Sequence, residues 1–146
     1  MIIQSPVVRP NGPIPTRYTC DGKNINPSLN ISQAPANTKS LVLIVDDPDA
    51  PAGTWVHWTM WNIPPDTICI KEGSIPTGAV EGVTSFGRPG YGGPCPHSGT
   101  HRYFFKLYAL DALLALSQAA KVADIEKAMS GHIIEQSELM GVYARQ

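Results

Sequence analysis

The sequence lacks an excess of either charge. Its 146 residues carry 11 lysines and arginines against 12 aspartates and glutamates, a formal net charge of −1. Nothing basic is left over to displace counterions from a phosphate backbone, which excludes nucleic acid as an expected partner. An anionic bilayer gains no electrostatic hold either. Charged residues of any sign are scarce at 16%, while hydrophobic residues reach 42%. Against a usual charged fraction of about 25%, that is the reverse of what a disordered chain needs. Cysteine is scarce too. Cys20, Cys69 and Cys95 are too few for a disulfide scaffold, and an odd number leaves at least one thiol unpaired within the chain. Long apolar runs are absent: Leu41 to Val45 is the longest aliphatic one, far short of a membrane span. The opening Met1-Ile-Ile-Gln-Ser-Pro6 has no basic segment and no long apolar one, so no signal peptide is expected and a reducing cytosol is the expected location. No repeat and no linker divides the chain. A single domain over 1–146 is expected, since domains commonly take about 100–200 residues.

What the chain does have is punctuation. There are 14 prolines and 13 glycines, spread without a period, which reads as a turn-rich and mainly β fold. Proline cannot donate to a β-ladder, so strands within residues 1–40 should be short or at sheet edges. Leu41-Val-Leu-Ile-Val45 is short, continuous and β-branched, the pattern of a strand buried on both faces. Asp46-Asp-Pro-Asp-Ala-Pro51 ends it, because Pro48 and Pro51 lack the donor. Thr54 to Ile63 is dense in β-branched and aromatic residues and predicts a second strand. Strict alternation would place Trp55, His57, Thr59 and Trp61 on one face and Val56, Trp58 and Met60 on the other. Residues 66–100 read as turns and loop with one or two short strands. Arg102 to Leu110 predicts another strong strand, Ser117 to Met129 a helix stopped by Gly131, and Leu139 to Tyr143 a closing strand. Mostly strand followed by C-terminal helices implies an antiparallel sandwich with a helical appendage.

Three clusters carry chemistry. Phe86 to Arg102 is a long loop rich in glycine and proline, and loops of that length in compact domains are usually functional. Its amides can form an anion-binding nest, with Ser98, Thr100, His101 and Arg102 adding donors. Asp46, Asp47 and Asp49 are costly together unless a metal, an arginine or hydrogen-bond donors offset them; a solvated turn is the plain alternative. His57 sits in an aromatic strand. With His97 and His101, it flanks the same two strands as the aspartates. Three chemistries fit. A metal site needs three or four ligands in fixed geometry, and the His97–His101 spacing is not on a helix. A hydrolase or metal-assisted enzyme would use His57, His101 and Asp47 with Cys95 or Ser98, but the Gly-x-Ser-x-Gly elbow does not occur. An anion pocket needs only donors and shape, and ranks first. On this reading no residue is catalytic, and neither metal nor cofactor is expected.

Three separated motifs, Asp47-Pro-Asp-Ala-Pro51, Trp55-Val-His-Trp58 leading to Asn62-Ile-Pro64, and Gly90-Tyr-Gly-Gly-Pro-Cys-Pro96 through Gly99-Thr-His-Arg-Tyr103, resemble the phosphatidylethanolamine-binding protein family, the Raf kinase inhibitor-like group. The resemblance is to its short bacterial and archaeal branch and extends to Tyr18-Thr-Cys-Asp-Gly22 and the stretch Gly131 to Tyr143. It implies a two-sheet, antiparallel Greek-key β-sandwich with short C-terminal helices. It also implies a pocket for a small anion: phosphate, a phosphorylated head group or a phosphorylated side chain. By motif, the pocket is lined by Asp47, Asp49, His57, His101 and Tyr103, with Pro89, Gly90 and Gly92 on its rim. In that picture His57 and His101 donate N–H bonds to the anion, Asp47 orients a histidine and keeps its proton available, and binding strengthens toward pH 6. A kinase or a serine protease is the protein partner that the resemblance implies, and a homodimer the assembly. The longer C-terminal helix of eukaryotic members has no counterpart after Tyr143, which implies a more open pocket. Cys20 and Cys95 both fall in family-like motifs and are candidates to pair; two free buried thiols are the state expected in a reducing cytosol.

Overall fold

In chain order the strands are β1 (Ile2–Gln4), β2 (Leu29–Ser32), β3 (Ser40–Asp47), β4 (Trp55–Ile63), β5 (Cys69–Ile70), β6 (Val80–Glu81), β7 (His101–Leu110) and β8 (Ile133–Tyr143), with one α-helix, α1 (Val122–Met129), before the last of them. The structure, a computed structural model, describes residues 1–146. Two antiparallel sheets form, a three-stranded one ordered β1-β2-β5 and a five-stranded one ordered β6-β4-β3-β7-β8. After the connection 64–100, β7 returns to pair with β3 rather than β6, so that in the larger sheet the later strand lies beside the first, as in a Greek key.

Strand β3 is central and every one of its residues is buried. Leu41, Leu43 and Val45 join the core between the sheets, together with Trp58, Met60, Tyr103, Phe105 and Leu107. Val42 and Ile44 point the other way, onto Trp61, Ile125 and Met129. A strand caught between a second sheet and a helix has no wet face, and its unbroken aliphatic run follows from that.

The α-helical content is one short helix, and it is not terminal: the chain passes through it into β8. Residues 117–120 form a turn instead of the first helical turn expected there. The Ala120 carbonyl, which a helix through that point would need, accepts the Val83 amide, 2.9 Å. Lys121 then starts the helix, its amide donating to Asp124 Oδ2, 2.9 Å. Ile125 and Met129 bury the inner face one turn apart. Gly131, at φ +82°, supplies the left-handed residue that turns the chain away. Strand β8 begins well before the expected Leu139 and pairs with β7 from Leu110↔Ile133 to His101↔Tyr143. Its first half, Glu135-Gln136-Ser137-Glu138, is polar because it lies at a sheet edge facing water.

One irregularity decides where the site forms. Between β3 and β4 the register runs Val45↔Trp58 and then Asp46↔Val56, leaving His57 as an extra residue without an opposite number. This is a β-bulge, which shifts the alternation by one. Strict alternation therefore fails across β4. His57 lies on the inter-sheet side against Tyr103, ring centroids 5.3 Å apart, while Trp61 packs on the helix side.

Candidate functional site

At the end of the larger sheet where β3 finishes and β4 and β7 begin, the inter-sheet face opens into a cavity of about 480 Å³. Asp47, His57, His101 and Tyr103 make its polar side; Ala50, Pro51, Ala52, Trp55, Phe86 and Pro96 make an apolar one, with Cys95 and His97 beside them.

The three aspartates do not converge, because each has its own cation or donor. Lys106 Nζ donates to Asp46 Oδ2, 2.9 Å. Asp47 Oδ2 accepts from His101 Nδ1 at 2.7 Å and its Oδ1 accepts the Asp49 amide at 2.7 Å. Arg102 donates its amide and Nε to Asp49 Oδ2 and its Nη2 to Oδ1, all within 2.9 Å. Those bonds hold the Asp49 carboxyl down at about 2. Of the offsets weighed above, side-chain and amide donors carry the load.

His57 is held from behind. Its Nδ1 lies 2.7 Å from the Gly92 carbonyl, and the Gly92 amide donates to the His57 carbonyl at 3.0 Å. A carbonyl cannot donate, so Nδ1 carries the hydrogen and Nε2 the lone pair. Burial depresses the pKa of this imidazole, with the Gly92 carbonyl and Asp47 pulling more weakly the other way. A neutral ring in this tautomer presents an acceptor at Nε2. The folded chain resists protonating His57 more than the unfolded chain does, so stability is full above about pH 6.5 and falls as pH drops below it. Thermal melts at pH 7.5 and 5.0 should show this fall, and a smaller one in His57→Asn.

Tyr103 is 1% exposed, and its hydroxyl has no hydrogen-bond partner in the chain. Burial pushes the phenol up, so it stays a proton donor. An unpaired buried hydroxyl costs about 1–3 kcal/mol, and Tyr103 is one of the residues that line the cavity.

The site residues expected from the sequence therefore divide. Asp47, His57, His101 and Tyr103 come together around the cavity. Asp49, Pro89, Gly90 and Gly92 are not among its lining residues: Asp49 is turned to Arg102, Pro89 bridges to Val83, and a Cβ added at Gly90 would meet Glu81 at 4.0 Å. Gly92 stands one layer back, behind His57. Sequence reasoning missed the apolar wall. Trp55 is legible as a strand residue, and its 38% exposure at the strand start marks the mouth; Ala50 and Pro51 fall inside the Asp47–Pro51 motif, but their residue types do not mark them as lining.

The expectation of free thiols at Cys20 and Cys95 is overturned: they form a disulfide, Cα–Cα 5.4 Å. Their segments are strapped together by neighbouring bonds. The Tyr91 hydroxyl donates to the Tyr18 carbonyl, 2.7 Å, the Gly93 amide to Asn24 Oδ1, 2.8 Å, and the Cys20 amide to the Pro94 carbonyl, 3.1 Å. Cys69 remains free. A disulfide-bonded Cys95 offers no thiolate, and Ser98 is not among the cavity's lining residues. Neither nucleophile of the hydrolase alternative is thus in place, and no group of three or more histidine, cysteine or acidic residues is arranged to hold a metal. No helix is long and apolar enough to cross a membrane.

A two-sheet sandwich with a small hollow of mixed polarity at one end of its sheets has the architecture in which small-molecule sites are found. Comparison with known proteins gives the class a name. The family model for phosphatidylethanolamine-binding protein matches residues 4–144. A UPF0098 protein of Methanothermobacter thermautotrophicus is 50% identical over 139 residues, 92% of each chain. A phosphatidylethanolamine-binding protein homolog from Chlamydia trachomatis superposes with a TM-score of 0.95 at 40% identity, covering 99% of this chain and 97% of the other. YbcL of Escherichia coli, described as a member of the mammalian family, superposes at 0.92 with 32% identity over 99% and 98% of the two chains. The chain belongs to the phosphatidylethanolamine-binding protein family.

Proposed function

We propose that the cavity binds a small oxyanion, a phosphate or the phosphoryl group of a larger molecule, without transforming it. The observation that carries this is the buried, unpartnered Tyr103 hydroxyl beside His101. Asp47, which by itself would repel an anion, has both oxygens occupied by donors and serves to hold the His101 ring with Nδ1–H toward it and Nε2 free of any partner in the chain. The ligand's oxygens then take the Tyr103 O–H, and the His101 ring borders the same space. The apolar wall from Ala50 to Trp55 and Phe86 leaves room for the carbon part of a head group or side chain.

Tyr103→Phe removes one oxygen that nothing in the chain uses. The ligand-free variant should melt no lower than the native protein, because an unpaired polar atom has gone. Its affinity for inorganic phosphate should fall about tenfold or more, the usual worth of a hydrogen bond to a charged group. In the native protein, phosphate at ten times its dissociation constant should add about 1.4 kcal/mol of stability, a rise of roughly 3–5 °C for a chain of this size. Titration calorimetry and thermal melts in a phosphate-free buffer measure both. Equal phosphate affinity in the two proteins removes Tyr103 from the site, and no stabilisation by phosphate removes the reading.

A further inference from the structure

Resting on that reading, we infer that the cavity selects oxyanions that bring a hydroxyl of their own: hydrogen phosphate, or a singly protonated phosphomonoester, in preference to fully deprotonated oxyanions and phosphodiesters. The hydrogen-bonding groups of the polar wall set this preference. Tyr103 supplies a donor with no other use. His57 supplies an acceptor, because the Gly92 carbonyl at 2.7 Å takes the hydrogen on Nδ1 and the other ring nitrogen makes no bond within the chain. His57 itself is 4% exposed and packed edge-on against Phe86 and Tyr103, centroids 5.4 and 5.3 Å away, so a ligand that seats against the ring shuts water off from Nε2. A wall with an acceptor fixed at His57 is mismatched to an oxyanion that carries only lone pairs. Such a ligand satisfies Tyr103 and leaves Nε2 facing a second lone pair.

Hydrogen phosphate removes the mismatch. Its P–O–H donates to His57 Nε2 while a bare oxygen accepts from Tyr103. The same holds for a monoester that retains one proton. Sulfate at neutral pH has the charge of hydrogen phosphate and nearly its size but no proton, and a phosphodiester has none at any ordinary pH. Leaving one buried polar group unpaired costs about 1–3 kcal/mol, and sites built around a ligand hydroxyl reject analogues that lack it for this reason.

The test uses the native protein in phosphate-free buffer at pH 7.5, with inorganic phosphate, sulfate and dimethyl phosphate titrated separately. Phosphate binding at least tenfold tighter than both others is the expected result. Sulfate binding as tightly as phosphate overturns the inference, since it shows an N–H where a lone pair is argued, and leaves the anion site standing. Binding of none of the three overturns the anion site and this inference with it. Phenyl phosphate and inorganic phosphate compared at pH 5.5, where both carry a hydroxyl, separate an esterified source from the free ion: whichever is tighter, each should exceed sulfate tenfold. His57→Asn, whose side-chain amide can turn an N–H toward the ligand, should narrow the phosphate-to-sulfate ratio at least threefold; an unchanged ratio in a folded variant overturns the role given to His57.

Discussion

A Cys20→Ser, Cys95→Ser double variant should melt roughly 10–15 °C below the native protein and still fold. The two cysteines are 75 residues apart in sequence, and cross-linking a loop that long removes unfolded-state entropy equivalent to about 4 kcal/mol in the chain-entropy account. At this chain length each kcal/mol moves the melting point by about 2–4 °C. The fold should survive because three hydrogen bonds tie the same two segments together independently of sulfur, and because neither sheet contains a disulfide cysteine. Calorimetry with and without a thiol reductant checks the account. Reductant should lower the native protein by the same interval and leave the double variant unmoved. A double variant that melts with the native protein means the unfolded chain gains nothing from release. Cys95 also forms part of the cavity lining, so its release should loosen that wall and weaken phosphate binding.

Much of this architecture was readable because burial leaves a direct trace in residue type. Leu41 to Val45 could be placed at the centre of a sheet because a strand covered on both faces has nowhere to put a polar side chain. The helix around Ile125 and Met129 was visible from the same kind of spacing, but its start was not, because the Ala120 carbonyl is claimed by Val83, a residue from a distant loop. The bulge at His57 left no local mark. A bulge is one extra residue against a partner strand, and only the partner's register reveals it. Hence alternation grouped His57 with Thr59 and Trp61, whereas the family-like motif placed it in the pocket beside Tyr103, where it lies. Asp49, in the same motif as Asp47, turns elsewhere. Its carboxylate is two residues from Asp47, and its direction is set by Arg102, whose amide, Nε and Nη2 reach it together. Cysteine pairing was misjudged from the expected compartment, a property of surroundings, while the distance between Cys20 and Cys95 is a property of the fold.

Gly92→Ala should disable the cavity although Gly92 does not line it. A Cβ built at this position would sit 2.3 Å from Phe86 Cε2 and 2.6 Å from its Cδ2, closer than atoms tolerate. Two responses are open. The Phe86 ring can move, in which case it leaves its edge contacts with His57 and Trp55 and reshapes the apolar wall of the cavity. Alternatively the backbone at Gly92 can move, and then the paired hydrogen bonds that hold His57, one from its ring and one to its carbonyl, are broken. Either route costs stability, about 1–3 kcal/mol for an overpacked site, and either displaces a group the ligand would meet. Phosphate affinity should fall at least tenfold, in step with about 1.4 kcal/mol per tenfold. A double-mutant cycle with Phe86→Ala identifies the cause. Removing the ring makes space for the new methyl, so Gly92→Ala should cost at least 1 kcal/mol less in the Phe86→Ala background than alone, a coupling of the size expected for residues in contact. Strictly additive costs would mean that the clash with Phe86 is not what Gly92 avoids. A phosphate affinity that survives Gly92→Ala would detach the His57–Gly92 hydrogen bond from binding altogether.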